Sequence, residues 1–297
     1  MVNGLLNKGK KSLPAHDSAQ DLSNDFAAYF TDKIKTIYIA LTDGQIDNAN
    51  DQSSPTVHNS SKLSEFEKLS ENDVLKMINK APSKSCALDP VPSWFMKQNI
   101  DSFVPSITQI INESLSTGIF PTSLKNSIIT PLIKKPSLDP NNFKNYRPVS
   151  NLSFISKLIE KHACVTLTNH INKHCLAEEL QSAYKQAHST ETALMKVKDD
   201  ILTRLAQRQG VFLVLLDLSS AFDTISHDIL MDRLFDLGVR DRVLQWFKSY
   251  LSNRPSRVCI NGVFSEPQTS EIGLPQGSIV GPLGFTIYVL PVGRIIR

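Results

Sequence analysis

The run VFLVLLD, residues 211–217, constrains the fold more than any other stretch of this chain. It is short, continuous and rich in β-branched residues, the pattern of a strand buried on both faces. It ends in one carboxylate, Asp217, and a second, Asp223, follows after a single turn's worth of chain. A buried carboxylate without a partner costs several kcal/mol, so an acid at the end of such a strand needs water, a cation or a metal. The run is therefore expected to be an interior strand, with Asp217 at the rim of a sheet, where ligands bind, and a hard cation such as Mg²⁺ as its natural partner. An Asp that only turns the chain after a strand is the alternative at this point.

Such a strand needs a core around it. At 297 residues, 41% hydrophobic and 21% charged, the chain can supply one large domain or two modest ones. The net charge of +3 is too small to indicate a nucleic-acid partner, because a basic patch acts locally and acids elsewhere conceal it. Cys86, Cys164, Cys175 and Cys259 form no CxxC pair, and no secretory signal opens the chain, so a reducing, intracellular setting is expected rather than a disulfide framework. No apolar stretch reaches the roughly 20 residues of a membrane span, so a soluble protein with no membrane partner is expected.

Residues 1–61 read as a flexible leader and linker, rich in Asp, Asn, Ser and Gln, with one short, isolated helix. That helix repeats Phe26, Phe30, Ile34 and Ile37 on one face behind a possible Ser23 cap. From Leu63, LSEFEKLSENDVLKMINK and PSITQIINESLSTGIF carry helical spacing, the second ending at Gly118 before Pro121. SIITPLIKK reads as a short strand and SFISKLIEKHACVTLTNHINKH as a helix. TETALMKVKDDILTRLAQRQ repeats Leu194, Val197, Ile201 and Leu205 on one face, and Ser226 caps a helix closed by Gly238. The order of elements indicates an α/β or α+β domain.

Three further groups of residues bear chemistry. Gly273, Gly277 and Gly281 punctuate GLPQGSIVGPLGFTIYVLP, and glycines there allow backbone to approach a ligand closely. Lys134, Lys135, Lys144 and Arg147 gather in PLIKKPSLDPNNFKNYRPVS, a composition suited to a triphosphate or a nucleic-acid backbone, or to a solvated surface. His162, Cys164, His170, His174 and Cys175 offer metal-ligand types, but their spacing matches no common zinc pattern. Asp199 and Asp200 form an acid pair on a helix whose apolar face points them toward solvent.

Taken in order, these segments resemble the reverse transcriptase domain of non-LTR (LINE-type, jockey-like) retrotransposons, from about Lys62 to the end. NYRPVSNLSFISKLIEKH resembles the first fingers block, QSAYKQAHSTETAL the second, FLVLLDLSSAFDTISHDIL and GLPQGSIVGPLGF two palm motifs, and LQWFKSYLSNRPSRVCING the segment joining them. Five ordered matches are far more specific than a lone DxxxxFD. The resemblance implies an α+β, right-hand polymerase fold with fingers and an incomplete palm, the thumb absent. Residues 62–125 would be a helical region before the polymerase core and 126–297 the fingers and partial palm.

It further implies an RNA-directed DNA polymerase that copies an RNA template from a DNA primer with deoxynucleoside triphosphates and two Mg²⁺ ions, without a small-molecule cofactor. Asp217 would be the first metal-binding aspartate and catalytic residue, with the carbonyl of Leu218 on the same ion. Lys134, Lys135 and Arg147 would neutralise the triphosphate, and Gln276 and Gly277 would line the nucleotide pocket. Phe222 would sit beneath the sugar as the steric gate against a ribose 2′-OH, although its spacing equally suits a core Phe. Asp223 would serve the turn and helix start. The family's paired-Asp hairpin would follow the segment that IYVLPVGRIIR resembles, beyond Arg297, which makes this chain a truncated, inactive copy and leaves the run FTIYVLP beside an unpaired edge of the palm sheet. The alternative is a non-catalytic nucleic-acid-binding remnant. Gln186 and Ala187 stand where the family has a basic residue and a glycine, Gly284 where it has a bulky aliphatic, and Arg294 where an acid is common.

Overall fold

A computed structural model describes residues 13–43, 62–84, 86–218 and 220–293. The leader and linker reading of 1–12 and 44–61, and the departure at Arg294, lie outside the described residues. The fold is α+β. Helices α1 (Ala19–Asp43), α2 (Glu71–Lys80), α3 (Ser93–Gln98) and α4 (Ile100–Thr117) precede strands β1 (Ser127–Ile133) and β2 (Tyr146–Asn151). Helices α5 (Phe154–Lys173), α6 (Thr190–Ala206), α7 (His227–Asp236) and α8 (Asp241–Leu251) follow. Then come strands β3 (Arg254–Ile260), β4 (Val263–Phe264) and β5 (Gln268–Ser270), and helix α9 (Val280–Tyr288). The strands form one sheet, ordered β2-β1-β3-β4, with β5 also paired to β3; β1 and β3 are parallel and the other pairs antiparallel.

Local signals set many boundaries. Ser70 and Asp73 close a capping box on α2, Ser153 and Ser226 accept from backbone N–H groups at the starts of α5 and α7, and Gly118 ends α4 in the left-handed region at φ 70°. Trp246, Tyr250, Phe120, Ile111 and Ile159 centre the larger core, which α2, α4, α5, α7, α8 and α9 enclose. Trp246 Nε1 donates to Ser114 Oγ at 3.1 Å, so this buried indole keeps its hydrogen bond.

Several sequence expectations change. The helix of Phe26 and Phe30 is neither short nor isolated: it spans Ala19–Asp43 and lays both rings on the sheet with Tyr146, Val258 and Ile260. Ser23 lies inside it rather than at its cap. Residues 63–70 are not helical, and Leu63 instead makes a parallel bridge to Val239. The run 211–217 is not a buried strand: Phe212 is 97% exposed, Leu215 and Leu216 are exposed, and among the described residues nothing pairs with its backbone. Helix α6 forms as expected, with Ser189 at its cap, but Leu194, Val197 and Leu205 remain exposed. The cause is common to both: an apolar pattern states what a segment can bury, whereas a strand also needs neighbours for its N–H and C=O groups. Finally, the first four residues of FTIYVLP, 285–288, lie within α9 rather than beside a sheet edge, and just before that helix Ser278 Oγ accepts from the Gly281 N–H at 2.9 Å.

Ala187 has φ 61°. The left-handed region costs an L-residue about 1–2 kcal/mol, and glycine returns part of that gain as unfolded-state entropy, so Ala187→Gly is expected to stabilise the chain by roughly 0.5–1 kcal/mol. Urea denaturation measures this; a loss of stability would mean the Ala187 methyl makes a contact worth more than the backbone strain.

Candidate functional site

The segment Gly273–Gly277 is held between two parts of the chain. On one side the N–H groups of Gly273 and Leu274 donate to the carbonyls of Ile225 and Phe222 at 2.7 and 2.8 Å. On the other, the N–H of Ser150, in β2, donates to the carbonyl of Gln276 at 2.7 Å. Both contacts depend on missing side chains. Gly273 has φ 85° and a Cβ there would lie 2.6 Å from the carbonyl oxygen of Asp223; Gly277 has φ 115° and a Cβ would lie 2.6 Å from that of Ser150. The glycines expected to admit a ligand thus admit neighbouring backbone.

Gln276 faces Asp223, and its Nε2 donates to the two carboxylate oxygens at 2.9 and 2.8 Å. Burial raises the Asp223 carboxyl above the usual range, while the Gln276 bonds and the Lys33 charge pull it down. The side chain that caps α7 is Ser226, so Asp223 serves the Gln276 contact and not the helix start. His227 Nε2 donates to the Gly273 carbonyl at 2.8 Å, holding the loop from a third direction. A cleft of about 420 Å³ opens here beneath α1, lined by Lys35, Ser150, Asp223, His227, Arg254 and Gln276 among others.

Phe222 is half-buried, its ring 5.3 Å from that of Phe285 and 6.2 Å from that of Tyr184. Arg147 is exposed on β2, opposite Leu132 of β1 and three residues from Ser150. Lys134 and Lys135 are exposed just past β1, and Lys134 Nζ donates to the carbonyl of Lys144 at 2.8 Å. The fold therefore gathers Phe222, Asp223, Gln276 and Gly277 around one loop and ties that loop to the strand bearing Arg147. Asp217 and Leu218 stand apart from it, exposed on the unpaired stretch before Phe222. Asp217 is thus not a buried acid at a sheet rim.

A magnesium pair would supply charge for the attacking and leaving oxygens of phosphoryl transfer, and needs several fixed oxygen ligands. Among the described residues no three His, Cys, Asp or Glu side chains converge where an ion could sit. Asp217 and the Leu218 carbonyl alone do not fit a two-ion centre. The histidines with metal-ligand types have other partners: His162 Nε2 hydrogen-bonds the Glu67 carbonyl at 3.2 Å and His170 Nε2 the Leu237 carbonyl at 2.8 Å. Lys196 pairs with Asp200 on the surface of α6.

Sequence reasoning passed over Glu160. It is fully buried, accepts from Ser156 Oγ at 3.0 Å and from the Ile279 N–H at 2.7 Å, and so fixes the N-terminus of α9 just after the Gln276 loop. Burial raises its carboxyl, against the opposing pull of the Arg254 charge and these hydrogen bonds. Its only signal was a Glu one helical turn after Ser156 on an apolar face. No helix among the described residues is long and apolar enough to cross a membrane.

Residues 133–297 match the family described as reverse transcriptase (RNA-dependent DNA polymerase). The chain is 28% identical over 223 residues to the probable RNA-directed DNA polymerase from transposon BS of Drosophila melanogaster, covering 73% of this chain and 24% of that protein. It is 26% identical over 273 residues to the probable RNA-directed DNA polymerase from transposon X-element of the same species, 89% of this chain and 28% of the relative. With the RNA-directed DNA polymerase from mobile element jockey of Drosophila funebris it shares 25% identity over 217 residues, 73% and 24% of the two. The matched part spans about a quarter of the length of these relatives.

Proposed function

The chain belongs to the reverse transcriptase (RNA-dependent DNA polymerase) family, and from that premise we propose that it forms the fingers and part of the palm of a LINE-type element's RNA-directed DNA polymerase. The observation that carries this reading is the docked Gly273–Gly277 loop. Backbone hydrogen bonds tie it both to β2, the strand that bears Arg147, and to the turn of Phe222, while the Gln276 amide is bonded to Asp223. A deoxynucleoside triphosphate, an RNA template and a DNA primer are its proposed ligands, with Lys134, Lys135 and Arg147 on the triphosphate. The Gln276 and Gly277 segment would border the sugar and base. Four unpaired cysteines suit an intracellular setting.

Phe222 would act as the gate beneath the sugar, its ring held in place by Phe285. In the complete polymerase, Phe222→Ala is expected to raise ribonucleotide over deoxyribonucleotide incorporation on an RNA template by on the order of tenfold, since opening one side of a pocket relaxes steric rejection by about that factor. Single-turnover incorporation of the matched nucleotide pair measures it. An unchanged ratio would return Phe222 to the core, and absence of templated synthesis by the wild-type polymerase would end the polymerase reading.

A second reading, nucleic-acid binding without polymerisation by residues 1–297 alone, is favoured by the exposure of Asp217 and the lack of converging acids among the described residues.

A further inference from the structure

Among the described acidic and basic side chains, Lys125, Glu160 and Arg254 are buried, and Glu160 is the acid of the group. Lys125 Nζ donates to the carbonyl of Ser252 at 3.0 Å and Arg254 Nη1 to that of Tyr250 at 3.1 Å, so both cations rest on neutral carbonyls where α8 gives way to β3. Arg254 Nε and Nη2 are buried and have no hydrogen-bond partner among the described residues. A guanidinium so under-bonded is costly away from water unless a negative charge lies near. Glu160 supplies that charge: burial raises its carboxyl, and the Arg254 charge is the largest pull in the other direction. Tyr250 connects the two. The Arg254 guanidinium lies 4.4 Å over its ring, and burial raises its hydroxyl, the Glu160 charge adding to that rise and the Arg254 charge opposing it.

The same carboxylate reaches forward in the chain. Ile279, at the cap position of α9, has no polar side chain, and its N–H is taken by Glu160 Oε2 at 2.7 Å. Cys164, one turn further along α5, donates through Sγ to the Ile279 carbonyl at 3.6 Å. Helix α5 thus holds both polar groups of Ile279. Three residues upstream stands Gln276, its side chain bonded to Asp223 and its carbonyl to the Ser150 N–H. Three residues span at most about 11 Å, so a release at Ile279 is passed to Gln276.

We propose that Glu160 is a positioning residue: its carboxylate, with Arg254 as counter-charge, fixes the downstream end of the Gln276–Gly277 segment and thereby sets how well the polymerase holds its nucleotide. The consequence for the nucleotide rests on the polymerase reading, whereas the hold on the loop does not. In Glu160→Gln the amide still accepts from the Ile279 N–H and donates to Ser156 Oγ, so the substitution removes the charge and keeps shape and hydrogen bonds.

The experiment is amide hydrogen exchange on residues 1–297, followed at Ile279 and Ser150, which anchor the loop, and at Ile78 and Ile111 in α2 and α4. Glu160→Gln is expected to speed exchange at Ile279 and Ser150 at least about tenfold relative to Ile78 and Ile111, the lower end for taking the charge from a hydrogen bond. A residue that merely supports the core would speed all four alike. Arg254→Met, which leaves Glu160 without its counter-charge, is expected to act in the same direction, and Arg254→Lys to stay within about threefold of wild type. Arg254→Met combined with Glu160→Gln should lose less protection than Glu160→Gln alone, because neither charge is then buried by itself. Should Glu160→Gln fail to fold, the two single Arg254 variants decide the matter. In the complete polymerase, Glu160→Gln is expected to raise KM for a deoxynucleoside triphosphate about tenfold with kcat within about threefold. Unchanged exchange at the loop, or equal acceleration at all four amides, would overturn the proposal; faster loop exchange with an unchanged KM would overturn its nucleotide half. A complete wild-type polymerase without templated synthesis would end the polymerase reading, and the exchange ratios would still decide the hold of Glu160 on the loop.

Discussion

If Asp217 holds a metal ion in the proposed polymerase, Asp217→Asn is expected to lower templated synthesis by at least about a hundredfold, the loss typical when one group stabilising transition-state charge is deleted. The substitution takes away a ligand charge and almost no volume. Asp217 is exposed on a stretch that no other described element covers, so its replacement disturbs no packing and the loss is attributable to chemistry. Any RNA binding should persist, because the exposed Lys134, Lys135 and Arg147 are left in place. Comparable synthesis by the variant would end the proposal that Asp217 holds a metal ion. Residues 1–297 alone are expected to extend no primer with Mg²⁺ or Mn²⁺ if no carboxylate beyond the described residues joins Asp217 and the Leu218 carbonyl, because two ions need more fixed oxygens than those provide. Any weak RNA binding should fade steeply with salt. Templated synthesis by these residues that disappears in Asp217→Asn would require a second carboxylate near Asp217.

The other large effect lies in the loop. Gly277→Ala places a methyl group 2.6 Å from the carbonyl oxygen of Ser150, and Gly273→Ala one 2.6 Å from that of Asp223, each at a positive φ. The atoms met are backbone, in β2 and in the turn before α7, and cannot rotate aside as the end of a side chain can. Left-handed strain adds about 1–2 kcal/mol to the clash, so each variant is expected to lose on the order of 3 kcal/mol or to release the loop. Released, Gln276 no longer meets Asp223, and the bond from Ser150 to the loop breaks. Urea denaturation gives the loss, and limited proteolysis locates it within 271–279. A change below about 0.5 kcal/mol, the level of a neutral surface substitution, would mean that the loop does not hold this conformation in solution.

By itself the sequence determined those features whose physics is local. Ser226 starts α7 because a hydroxyl satisfies an orphan N–H, and Gly118 stops α4 because it accepts a left-handed φ. The α5 helix and the β1 strand follow from periodicity, and the family from five motifs in order, in agreement with the match over residues 133–297. Tertiary structure decided whether each apolar pattern found a partner. Phe26 and Phe30 found the sheet, while Leu194, Leu205 and Phe212 carry equally strong patterns and found nothing among the described residues. It also decided the long-range polar contacts, Gln276 with Asp223 and Glu160 with the start of α9, which join residues 53 and 119 positions apart. Periodicity reports the preference of a segment for burial or exposure, but pairing across such distances depends on which surfaces the fold brings together, and no local pattern carries that information.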